Sequence, residues 1–170
     1  MAVPMIFQTI EESGLSSWIR DSPSIFAFWF ILSVHAIGMG LLVGASAIID
    51  LRLLGVARDL PLPPLKGLYP IIWTGFWIQV LSGTLLLIAY PTKALTNLDF
   101  YLKLLLIGLA VFVMRVIKKR VFSDETLSEA AMMAKGKALA VWSLVFWTGV
   151  VTAGRFLAYT YSYIKYGYTG

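Results

Sequence analysis

The chain of 170 residues holds a single histidine, His35, and places it inside an apolar run, "FILSVHAIGMGLLVGASAIIDLRLLG", over residues 30–55. An ionisable side chain in a membrane-crossing segment is costly and by default marks a functional site. Three chemistries are open to it: axial ligation of haem iron, a share in a copper site, or proton relay. The plain alternative is a neutral ring bonded across a helix bundle to Gln79, a threonine or a backbone carbonyl, contacts worth roughly 0.6–2 kcal/mol.

The surrounding residues favour haem. Gly38 at i+3 and Met39 at i+4 share the ring's helix face, and the missing side chain at Gly38 would leave room for a porphyrin. Gly40 and Gly44 form a small-xxx-small pair that signals close helix packing. With one histidine per chain, the second axial position falls to Lys103, to the His35 of a second copy, or stays open. Met39 cannot supply it, because residues i and i+4 of one straight helix lie on the same side of a planar ring.

Copper would need several soft ligands. Cysteine is absent, and Met5, Met39, Met114, Met132 and Met133 are scattered along the sequence. A proton relay would need acidic groups at mid-depth, which the later apolar segments lack.

The elements that must position these groups are membrane spans. With 59% hydrophobic residues and a mean hydropathy of +0.80, the composition lies outside the soluble range. The net charge of +5 gathers beside apolar segments, no nucleic-acid motif accompanies it, and it reads as a topology signal rather than a nucleic-acid surface. Four stretches, at about 24–54, 68–90, 100–121 and 138–161, have the roughly 20 apolar residues a span requires. With their connections they make up one bundle domain, 23–165, followed by a short tail at 166–170. Ser22-Pro23 reads as the first start signal, and the prolines of "LPLPP" together with Pro91 bracket the second span. Asn97 and Asp99 are candidate caps for the third. "SDETLSEAAMMAKGK" reads as a capped helix that extends the fourth.

Residues 1–22 lack the basic start of a signal peptide. Phe7, Ile10, Trp18 and Ile19 recur opposite Glu11, Glu12, Ser16 and Arg20, the pattern of an amphipathic helix lying on the bilayer or capping the bundle. Lys and Arg crowd the loops after spans one and three. These loops are therefore expected to be cytoplasmic, and both termini periplasmic. Asp50 and Arg52 read as charges at the inner interface.

At 1.5 Å per residue, His35 lies roughly 16 Å from the outer border. Gln79, Thr148 and Thr152 fall at a similar level, which defines a polar layer. Lys103 and Arg155 fall in the outer third, where they would either meet outward-pointing haem propionates or lift their charges to the headgroups.

"FWFILSVHAIGMGLLVGASAIIDLRLLG" and "DFYLKLLLIGLAVFVMR" resemble the first and third helices of bacterial four-helix membrane proteins that include the HemJ-type protoporphyrinogen oxidases and the CopD-like copper-resistance proteins. The resemblance covers roughly residues 24–161 and implies that His35 is the haem-linked histidine and Lys103 the essential lysine. It further implies b-type haem, tetrapyrrole oxidation and electron transfer to the membrane pool. The N-terminal helix, the extra length before span four and the lack of further histidines depart from that pattern.

The expectation is thus an all-α integral membrane four-helix bundle with an N-terminal interfacial amphipathic helix, located in the bacterial inner membrane. It would bind b-type haem through His35, with Lys103, Arg155, Gly38 and Gln79 around the cofactor, and exchange electrons with a membrane carrier or act as an oxidoreductase. A homo-oligomer or a place in a larger membrane complex would accompany this. The alternative is a non-enzymatic component, either a CopD-like copper-handling protein or a small accessory subunit.

Overall fold

A computed structural model describes residues 5–124 and 126–166, apart from the side chains of residues 158 and 160–166. Residues 167–170, most of the expected tail, lie outside the described residues. The chain is all-α among the described residues: α1 (Met5–Glu11), α2 (Gly14–Asp21), α3 (Phe28–Leu53), α4 (Tyr69–Ala89), α5 (Pro91–Leu95), α6 (Leu98–Val121) and α7 (Glu129–Tyr166). A 3-10 turn, Pro63–Leu68, leads into α4. Four segments are long and apolar enough to cross a bilayer: Phe28–Leu53, Pro63–Ala89, Leu98–Val121 and Glu129–Leu157. This is the architecture of a multi-pass membrane protein, because only closed secondary structure satisfies the backbone in lipid.

Most boundaries follow from local chemistry. Asn97 caps α6 by accepting the Asp99 N–H at 2.9 Å. Asp99 in the first turn and Lys118, Lys119 and Arg120 in the last both complement the helix dipole. Helix α4 stops ahead of Pro91, which cannot donate to a continuing ladder. Helix α3 begins at Phe28, later than Pro23 predicts, because the Ser24 hydroxyl accepts the Phe26 N–H at 3.2 Å and the Ser24 carbonyl accepts from Ala27. These bonds close a turn where the helix was expected to start. Helix α7 is continuous from Glu129, so the segment before span four does extend it. Ahead of α7, two bonds from Thr126 hold the exposed Asp124 carboxyl below the usual carboxylate range.

Helix α3 packs against α4 and α7, and α7 against α6. The α3–α4 crossing is drawn tight at Gly38 and Gly75. A β-carbon at Gly75 would fall 2.6 Å from the Leu42 nitrogen and 2.9 Å from the Gly38 carbonyl. Gly40 and Gly44, the pair expected at a helix seam, have open space around them. They lie on the outward face of α3, and the seam runs through Gly38 instead. Leu42, Ile49, Ile72, Met114, Ile117 and Trp147 centre the main core. Met114 and Met132 are buried among these apolar neighbours, in a packing role.

The N-terminal segment is two short helices, and α2 caps the bundle rather than lying apart from it. Ile19 is fully buried beside Ile31 and Ala89, whereas Trp18 is exposed. Ser16, assigned by periodicity to the polar face, is also fully buried, because its hydroxyl donates to the Ala89 carbonyl left over at the end of α4. Arg20 donates to the same carbonyl at 3.2 Å. Helix C-terminal carbonyls need such partners, and α2 supplies them.

Asp50 and Arg52 correct the sequence reading more sharply. Both are buried, at 1% and 3% exposure, rather than sitting at an open interface. Arg52 reaches Glu129 at 2.8 Å, the carbonyls of Leu60 and Arg58 and the Met133 sulfur. The second Glu129 oxygen accepts the Leu62 N–H at 3.0 Å. One ion pair therefore pins the loop 54–62 to the start of α7.

Candidate functional site around His35

His35 projects from α3 toward α4, half-buried. Its Nδ1 lies 2.8 Å from the Ser82 hydroxyl, and that hydroxyl also donates to the Ile78 carbonyl at 2.5 Å. A serine hydroxyl carries one proton. With that proton on the Ile78 carbonyl, Ser82 accepts from His35, and in a neutral ring Nδ1 then bears the hydrogen while Nε2 keeps its lone pair. For a neutral imidazole this contact pairs with the Nδ1–H tautomer and leaves Nε2 as the nitrogen open to a ligand, the role of outer-shell partners at metal-bound histidines.

Gln79 joins this group in a different way from the one expected. Its Nε2 donates to the His35 backbone carbonyl at 2.9 Å, not to the ring. The two residues share one level, as the residue counts predicted, and Gln79 braces the helix that carries the histidine. Ser82, one turn on, is the ring partner, and sequence reading passed it over. Serine is commonplace in transmembrane helices, and only the α3–α4 register singles it out. Gly83 leaves the imidazole edge open, since a β-carbon there would sit 3.3 Å from Cε1. Gly38 opens no comparable slot, because Ile78 occupies the space over it.

Lys103 is half-buried on α6 and lies over Gly154 of α7, where a β-carbon would be 3.6 Å from its Nζ. Arg155 occupies the neighbouring position on α7, so the two cations do share a level. Arg155 is exposed, however, with its guanidinium 4.9 Å from the Tyr159 ring one turn along its own helix. Thr148 and Thr152 are exposed as well, and the Thr152 hydroxyl donates to the Thr148 carbonyl, so neither adds to the polar layer at His35.

The donor set distinguishes among metals. Among the described residues no three of His, Cys, Asp and Glu converge on one point. Haem brings four pyrrole nitrogens of its own and asks the protein for one or two axial ligands. The His35 Nε2 would meet that requirement.

A second polar group was not anticipated. Asp50 Oδ2, Ser143 Oγ and Trp147 Nε1 are buried without a hydrogen-bond partner, and Asp50 faces Ser143 where α3 packs on α7. Ser143 and Trp147 share a face of α7 at i and i+4. Asp50 lies 15 residues beyond His35, about 22 Å along the helix, so the two groups are separate.

The fold and site together define an all-α, four-span integral membrane protein with a single preorganised imidazole. Compared with known proteins, the chain matches no family model, no curated protein and no solved structure.

Proposed function

We propose that the protein binds b-type haem in the membrane, with His35 as an axial ligand, and works in membrane electron transfer or tetrapyrrole- or quinone-linked redox chemistry. The observation that carries this reading is the relay from His35 Nδ1 to Ser82 to the Ile78 carbonyl, which presents Nε2 with its lone pair free. The resemblance to HemJ-type and CopD-like helices supports it from the sequence side.

Bound haem would supply reversible one-electron chemistry. The chain's part is to hold the ring. Ser82 fixes the tautomer, Gln79 anchors the His35 backbone, and Lys103 offers a second nitrogen or a positive charge. An ammonium in the bundle favours anionic groups near it, which suits propionates. Because each chain has one histidine, a homo-oligomer that pairs two copies of His35 is the other route to six-coordinate iron. Positive-inside topology assigns the loops 54–68 and 122–128 to the cytoplasm of a bacterial inner membrane and both termini to the periplasm.

The test is the absorption spectrum of the detergent-purified protein. Soret and α bands are expected in the wild type and should be lost in His35→Ala. Bands unchanged in His35→Ala would overturn the reading. Copper that disappears with His35 would favour metal handling, and a colourless, metal-free protein copurifying with a large complex would favour an accessory subunit.

A further inference from the structure

At the end of the bundle where the loop cations gather, α4 begins and α6 ends on either side of a cavity of about 470 Å³. Lys66, Arg115, Lys118 and Lys119 contribute to its wall, and among the described residues no carboxylate does. The Arg115 guanidinium lies 5.1 Å from the Trp73 ring centre, and the Lys118 ammonium 5.1 Å from that of Tyr69. Each ring comes from α4 and each cation from α6, so the aromatic side chains hold two positive charges across the cleft in a defined place.

Like charges gathered around a cavity repel one another, and an anion in the cleft would relieve this. Two features select its source. Tryptophan and tyrosine at a helix end mark the headgroup level of a bilayer. From the cleft toward the membrane centre, Trp77 and Phe112 are 57% and 64% exposed, presenting apolar surface of the kind acyl chains cover. A free phosphate would use the cations and leave the apolar surface unused.

We propose that this cleft is a binding site for the phosphate headgroup of an acidic glycerophospholipid, with its acyl chains lying along α4 and α6. Basic pockets between transmembrane helices recognise anionic headgroups in this way. The site lies apart from His35 and does not depend on what that residue binds.

The experiment is native mass spectrometry of detergent-purified protein incubated with equal phosphatidylglycerol and phosphatidylcholine, with inorganic phosphate as a competing arm. Selective retention of phosphatidylglycerol is expected, weakened tenfold or more in Arg115→Gln/Lys118→Gln and in the single charge reversal Lys119→Glu. These side chains are exposed, and circular dichroism should report an unchanged fold. A Lys135→Gln/Lys137→Gln control should retain lipid normally. Equal retention of the two lipids, unchanged binding in both cleft variants, equal loss in the control, or phosphate displacing phosphatidylglycerol at equal concentration would each overturn the proposal.

Discussion

Replacing Arg52 by methionine keeps most of the side chain's apolar volume and removes its charge, which isolates the role of the ion pair at the inner end of the bundle. Arg52 is 3% exposed and bonds two backbone carbonyls of the loop 54–62. Hydrogen bonds to a charged donor contribute about 1.5–3 kcal/mol each when buried. Leu60 and Arg58 are exposed, so water can replace the donor, and each bond counts nearer 1 kcal/mol. The partner Glu129 has a side chain 43% exposed, which limits the ion pair itself to about 1 kcal/mol. Arg52→Met should therefore cost about 3 kcal/mol. Glu129→Gln should cost about 1–2 kcal/mol, since its single amide oxygen can keep the Leu62 N–H or Arg52 in place but its NH2 cannot accept from the other. Reversible unfolding in mixed micelles, followed by tryptophan fluorescence, measures both. An Arg52→Met loss below 1 kcal/mol, or a Glu129→Gln loss as large as that of Arg52→Met, would refute the reasoning.

Three further outcomes are expected. Gly75→Ala should destabilise by about 1–3 kcal/mol, because its methyl group meets backbone atoms that cannot turn aside, whereas Gly40→Ala should be neutral or stabilising; the same unfolding assay compares them, and equal effects would discount the Gly38–Gly75 seam. Ser82→Ala should weaken haem retention about 10–100-fold in a haem titration, while Thr84→Ala, on the exposed side of α4, leaves it unchanged; equal affinities would remove Ser82 as the positioning residue. Asp50→Asn should stay within about 1 kcal/mol of wild type, because an amide offers both donor and acceptor to Ser143, while Asp50→Lys, which buries a charge with no counter-ion, should prevent stable folding; a loss above 2 kcal/mol in Asp50→Asn would show that the carboxyl itself is required.

Much of this protein was legible in one dimension. Membrane spans are set by uninterrupted apolar length, a property of local sequence, and the four spans, the Asn97 cap and the stop before Pro91 all follow from it. The level shared by His35 and Gln79 was also legible, because a straight helix advances by a fixed rise per residue and counting gives depth.

Which way each residue faces was not legible, because a helix that is apolar all round carries little periodic signal about its buried face. Gly38 and Gly40 differ by two positions, yet one sits in the α3–α4 seam and the other faces outward. Ser82 became the imidazole's partner, and Ser16 a buried cap, only once neighbouring helices had taken their places. Asp50 and Arg52 were misjudged for the same reason. A charge near a span's end resembles an interfacial anchor until the tertiary structure folds a loop and the start of α7 over it. The sequence by itself determined that an imidazole lies within an apolar span long enough to cross a membrane. Tertiary packing decided that its Nδ1 is paired with Ser82, because only the α3–α4 register brings that hydroxyl to the ring.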